Sequence, residues 1–162
     1  MTTSGSEARA VELLRDEVAL WLTTQVGPAD VIAAACEVIV AGADSPAVVD
    51  LAGRSPRESS WIIAEATVAA LDELHLPPLP PDSEAALVAA SLAMCRRFLR
   101  GQVSARELAR WAHRTVGHEG PAAVQGLVIL DDDYDDAEHV GVGAEAEVDA
   151  AVEREVTLLM RS

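Results

Sequence analysis

SARELARWAHRTVG, from Ser104 to Gly117, spells out a helix from one end to the other. Ser104 followed three residues later by Glu107 is a capping box. The hydroxyl accepts from an N–H of the first turn, and the carboxylate accepts from the N–H of the serine. Leu108, Trp111, Ala112 and Thr115 then recur at three- and four-residue intervals and share one face. Gly117 supplies a residue free to turn left-handed, the common way to end a helix. Arg106, Arg110 and Arg114 repeat every four residues and form a charged stripe beside the apolar face.

The same punctuation extends in both directions. Ser4 and Glu7 predict a capped helix running to about Gln25, with Leu14, Val18, Trp21 and Leu22 on one face and Gly27 at its end. Pro28 opens a helix to Ala41, closed by Gly42, and Ser45-Pro46 starts a short one that stops at Gly53. Ser55-Pro56-Arg57-Glu58 is read as a further capping box, opening a long helix through about Leu74. Asp82-Ser83 starts a helix to Leu99 or Arg100, closed by Gly101. Gly120-Pro121 begins another, carrying Val124, Leu127, Val128 and Leu130, although that run also suits a buried strand. Asp131 to Gly143, acidic and glycine-bearing, reads as a loop or frayed end. A last amphipathic helix aligns Val148, Val152, Val156 and Leu159.

No stretch alternates with the period of a strand, so the expectation is an all-α fold, a helical bundle of six to eight helices. Pro77-Pro78-Leu79-Pro80-Pro81 cannot be helical and is a stiff extended connector. Neither half of the chain is large enough for a comfortable core of its own. These prolines are therefore read as a crossover inside a single helical domain over residues 1–162, with lobes 1–76 and 82–162 as the alternative.

Composition bounds the function. Half of the 162 residues are hydrophobic, enough for a core, yet only five are aromatic: Trp21, Trp61, Phe98, Trp111 and Tyr134. All 12 cationic side chains are arginine, and 27 acids bring the net charge to −15. Such a chain repels phosphate backbones and anionic membrane surfaces, which argues against nucleic-acid and membrane partners. It suits a basic protein partner, since acidic surfaces steer basic proteins toward them. The start of the chain lacks a signal peptide's basic and apolar regions, and the richest apolar run, Val31 to Ala43, is too short to span a bilayer. Cys36 and Cys95 read as small buried hydrophobes in a reducing compartment, so a cytoplasmic location is expected.

The candidate site is the acidic block Asp131, Asp132, Asp133, Asp135, Asp136 and Glu138. The arginine stripe precedes it by one short helix, so pairing between stripe and block is expected if the two helices form a hairpin. Asp131, Asp133 and Asp135 match the first three ligands of an EF-hand. The match fails at Asp136, where glycine belongs, and at Val142, where a bidentate Glu belongs. Asp132-Asp133-Tyr134-Asp135-Asp136 also fits the Asp-Asp-x-x-Asp pattern of helical prenyl-diphosphate enzymes, but the chain is too small for their chamber. The four histidines do not cluster by sequence: His113 and His118, five apart, are poorly spaced for one helix face. No metal, cofactor or catalytic residue is assigned. Neither a nucleophile elbow nor a phosphate loop is present.

Residues 97–108, Arg97-Phe98-Leu99-Arg100-Gly101-Gln102-Val103-Ser104-Ala105-Arg106-Glu107-Leu108, resemble a helix–Gly–x–Val–Ser–Ala–x–Glu signature of small helical bacterial immunity proteins of the colicin D type; the likeness extends to about Gly117. The resemblance implies an intracellular protein that binds and blocks a basic toxin, with Asp131 to Glu138 as the mimicry surface and no catalytic residues. Residues 1–81 have no counterpart in that pattern. The sequence thus supports an acidic protein-binding module. The competing readings are a small helical metal-dependent hydrolase acting on a phosphorylated compound through Asp131–Asp136, and a structural or regulatory partner of a neighbouring gene product.

Overall fold

The structure, a computed structural model, describes residues 5–141 and 143–161. Its elements are α1 (Gly5–Leu22), α2 (Pro28–Val40), α3 (Pro46–Ala52), α4 (Ser60–Glu73), α5 (Glu84–Leu99), α6 (Ala105–Thr115), a 3₁₀ turn (Ala122–Val124), α7 (Gln125–Val140) and α8 (Ala144–Leu159). The fold is all-α, with eight helices and no strand among the described residues. None of these helices is long and apolar enough to cross a membrane. The chain divides into two compact units, one through Ala86 and one from Leu87.

In the first unit, α1 packs on α2, α2 on α3 and α3 on α4. Ala10, Leu14, Val18, Ala19 and Leu20 are buried along α1, and Val31, Ala34, Ala35 and Val38 along α2. Each Leu or Val taken fully from water contributes about 1.5–3 kcal/mol, and the many alanines let helix axes approach closely. Glu73, in the last turn of α4, accepts the N–H of Ala47 at 2.8 Å and so caps α3 with a carboxylate. The proline-rich connector between α4 and α5 is non-helical, as its composition requires. The Arg15 guanidinium holds it to α1 by donating to the Pro77 carbonyl at 2.7 Å.

Three expectations fail in this unit. Helix α1 stops at Leu22 rather than Gln25, because Thr24 takes the left-handed position (φ 59°). Gln25 then donates back to the Leu20 carbonyl at 2.8 Å, and Gly27 is left to precede α2, where its N–H is bonded by Asp30 at 2.9 Å. Ser55–Glu58 is a turn and not a helix start. Its Glu58 carboxylate does accept from Ser55 N–H (2.8 Å), but it also receives Arg54, which grips Asp50 at 2.7 Å, and the helix begins only after Ser59. Cys36 is exposed: the buried face of α2 is centred on Ala34, Ala35 and Val38, and Cys36 lies about 100° beyond Ala35. The Ser4 cap of α1 falls outside the described residues.

In the second unit α6, α7 and α8 pack against one another. The capping box at Ser104 and Glu107 forms as expected, with bonds of 3.2 and 2.7 Å. The Ser104 N–H, and the Ser104 hydroxyl after it, hold the Glu107 carboxyl below the usual carboxylate range. Val148, Val152, Val156 and Leu159 all face inward on α8. The run Val124–Leu130 is helical, and so is most of the segment expected to be a loop: α7 continues unbroken through the whole acidic block to Val140. The reason is tertiary. Leu127, Leu130, Tyr134 and Ala137 form a buried stripe along α7, and its burial outweighs the repulsion among neighbouring aspartates.

The two cysteines are expected to differ in reactivity. Burial pushes the Cys95 thiol up to about 12, so it is neither ionised nor accessible at neutral pH, whereas Cys36 is exposed. A thiol-specific reagent should titrate one equivalent in the native protein and the second only in denaturant. Cys36→Ser should remove the fast equivalent, and two equally fast equivalents would refute this burial pattern.

Candidate functional site

Helices α6 and α7 run antiparallel in their contacts, with Arg106 opposite Glu138 and His113 opposite Asp131. Arg106 and His113 are seven residues apart, two turns less about 20°, so both point at α7. Each four-residue step advances about 40° instead, so Arg110 and Arg114 rotate progressively away. The expected pairing of the arginine stripe is therefore corrected. Arg106 alone of the three makes ion pairs among the described residues, while Arg110 and Arg114 are exposed.

Arg106 is the node of the second unit. Its guanidinium bonds Glu138 of α7, reaches Glu145 of α8 at 3.4 Å, and lies over the Tyr134 ring, 5.5 Å from the centroid. Tyr134 is almost wholly buried and its hydroxyl donates to Asp149 of α8. Burial and that bond both push its pKa up, so the phenol stays neutral. Arg106 holds the Glu138 carboxyl below the ordinary glutamate range.

At the other end of the α6–α7 contact the acids meet histidines. His113 Nδ1 lies 3.0 Å from Asp131 Oδ2 and 3.6 Å from Asp132 Oδ1, and His118 Nε2 lies 3.6 Å from Asp132 Oδ2. The two imidazoles meet edge to face with centroids 5.0 Å apart. The expectation that the histidines do not cluster is thus overturned for this pair. Helical spacing does not govern it, because α6 ends at Thr115 and Gly117 (φ +68°) folds His118 back toward His113. The loop is fixed by Gln125, whose amide donates to the carbonyls of Gly117 (2.9 Å) and Gly120 (3.2 Å). Gly120 itself packs so tightly that a Cβ there would sit 2.6 Å from the Val116 carbonyl oxygen.

The six acids singled out from sequence therefore divide by direction. Asp131 and Asp132 face the histidines, and Glu138 faces Arg106. Asp133 and Asp136 are exposed and make no ion pair among the described residues. Asp135 is exposed as well, its carbonyl bonded at 2.8 Å by His139. Asp131, Asp133 and Asp135 do not converge as an EF-hand loop requires, since a helix sends successive alternate residues to different sides. Asp133 and Asp136 share their outer face of α7 with Ile129 and Val140, which are also exposed.

No family model matches the chain, and neither a curated protein nor a solved structure does.

The Arg106 node predicts a pH dependence. Glu138's folded pKa is depressed, so its contribution is fully present above the ordinary glutamate range and is lost as pH falls through the lowered value. Arg106→Met should be less stable than the parent at pH 7, and the gap should narrow on acidification toward pH 3. Tyr134→Phe, which deletes only the bond to Asp149, should cost about 1–2 kcal/mol by urea denaturation at pH 7. An Arg106→Met deficit that grew on acidification would refute the assignment.

Proposed function

We propose that this chain is an acidic protein-binding module of the cytoplasm that captures a basic protein partner on the outer faces of α7 and α8. The observation that carries this reading is the outward face of α7: Asp133 and Asp136 stand exposed between two exposed apolar residues, Ile129 and Val140. A helix that spends its inner face on the core and still carries acids free of internal pairing at the surface is electrostatically unsatisfied. Helix α8 adds exposed Glu147 and Glu153, and from Asp131 to Glu155 there are 11 acids against one arginine, Arg154. Self-repulsion on this scale is relieved by a cationic partner, whose arrival the same field accelerates. The likeness of residues 97–117 to colicin D-type immunity proteins favours one form of this role, neutralisation of a basic toxin. In that form Asp131, Asp132, Asp133, Asp135, Asp136 and Glu138 would supply the mimicry surface.

The hydrolase alternative gains nothing from the aspartates alone, because Asp131 lies on the α6 side of α7 and Asp133 on its outer side, so the aspartates do not converge on one point. A non-catalytic partner of a neighbouring gene product remains a form of the binding reading, distinguished by what is captured.

The test begins with capture from cytosol or with the adjacent gene product, followed by stopped-flow association. The recovered partner should be basic. Association should slow steeply between low and physiological salt, as exposed charges are screened. Asp133→Asn/Asp135→Asn/Asp136→Asn should associate at least about tenfold more slowly at low salt with little change in unfolding midpoint. An acidic partner, or a triple variant as fast as the parent, would defeat the proposal. The toxin form further requires that the captured protein be harmful to cells lacking this chain.

A further inference from the structure

Two imidazoles and a carboxylate converge where α6, its C-terminal turn and α7 meet. One ring nitrogen from each of His113 and His118 and one oxygen of Asp132 lie within 4.8 Å of one another. We infer that His113, His118 and Asp132 bind a single divalent transition-metal ion, zinc foremost, at this junction.

The geometry is close to what such an ion needs. Zinc holds its ligands at about 2.0–2.2 Å in a tetrahedron, which sets the ligand atoms about 3.4 Å apart. The Asp132 carboxylate already spans both rings, Oδ1 at 3.6 Å from His113 and Oδ2 at 3.6 Å from His118. Small side-chain rotations close the set, and they are cheap because the His118 and Asp132 side chains are about half exposed (53% and 51%). The backbone is less free and does not need to move. Gln125 fixes the loop that carries His118, and Gly120 is packed against Val116.

Ligand chemistry selects the ion. Two nitrogen donors disfavour calcium and magnesium, which take oxygen shells, and favour zinc and its neighbours in the first transition series. Asp131 Oδ2 lies 3.0 Å from the same His113 Nδ1, with only 16% of its side chain exposed, so it places a second negative charge beside the ion. Three protein ligands on an open surface leave a fourth position for water or for a side chain of another molecule. This site stands apart from the partner reading: it requires neither a partner nor the outward acids of α7.

The full-length apo protein, titrated with Zn²⁺ in a non-coordinating buffer at pH 7, should bind one equivalent with a Kd of about 1 µM or tighter. Co²⁺ in its place should give the visible ligand-field absorption of a four-coordinate ion. Zn²⁺ should raise the unfolding midpoint, and Ca²⁺ and Mg²⁺ should not compete. His113→Ala and His118→Ala should each weaken binding at least about a hundredfold, and Asp131→Asn should weaken it less, as a neighbouring charge outside the ligand set. Asp133→Asn/Asp136→Asn, outside the cluster, should bind as the parent does. Circular dichroism of each apo variant checks that the helices persist. If a histidine variant fails to fold, the histidine ring resonances of the parent, which should shift in slow exchange on adding zinc, provide the same test. Absence of a stoichiometric site, or affinity lost with Asp133 and Asp136 but retained without the histidines, would overturn the assignment. The latter result would mean cation condensation on the acidic helix.

Discussion

Seven residues separate Arg106 from His113, and two turns of helix carry both side chains to the same side of α6. Whatever α6 packs against must therefore satisfy a guanidinium at one end and an imidazole at the other. Helix α7 does so with acids seven residues apart, Asp131 and Glu138, matched to that spacing in antiparallel register. A slide of one turn would place Arg106 and His113 opposite other positions and carry the Arg106 guanidinium off the Tyr134 ring. Between the two polar ends lies the apolar contact that makes the register favourable, with Leu108, Trp111, Tyr134 and Ala137 buried along the two helices. The polar pairs stabilise little individually, because they remain partly exposed. They act mainly by making one alignment of two Leu/Ala-rich stripes better than its neighbours.

That register sorts a dense patch of like charge by direction. Aspartates three and four residues apart on one helix repel one another by a few tenths of a kcal/mol per pair. Helix α7 carries several such pairs and is nevertheless helical to Val140, since burying Leu127, Leu130, Tyr134 and Ala137 contributes several times that cost. Once the helix is fixed, direction follows. Acids toward α6 meet His113, His118 and Arg106. Acids away from it meet only solvent, beside Ile129 and Val140. The histidine-facing acids Asp131 and Asp132 and the outward acids Asp133 and Asp136 thus have different surroundings on one helix.

Much of this was legible in the residues. The caps at Pro28, Ser45-Pro46, Gly101, Ser104 and Gly117 predicted helix ends to within a residue or two, and the stripe Val148–Leu159 of α8 is buried as its spacing demands. The failures share a cause: local signals were read where non-local partners decide. Glu58 bonds Ser55 as a capping residue would, but within a turn that also engages Arg54, and the helix starts only after Ser59. Cys36 looks buried from its apolar neighbours but sits past the edge of the packed face. Asp131–Val140 looks like a loop because polar residues carry no sign of the stripe threaded through them at Tyr134 and Ala137.

The helical class, most helix boundaries and the sign and size of the charge follow from the residues alone, because these depend on interactions within four residues or on composition. Which acids are paired, that Arg106 rather than its whole stripe is the node, and that His113 and His118 meet are matters of packing. Those outcomes depend on how far one helix is rotated and slid against another, and on a single left-handed glycine that reverses the chain at residue 117. Neither rotation nor reversal has a period that can be read along a chain.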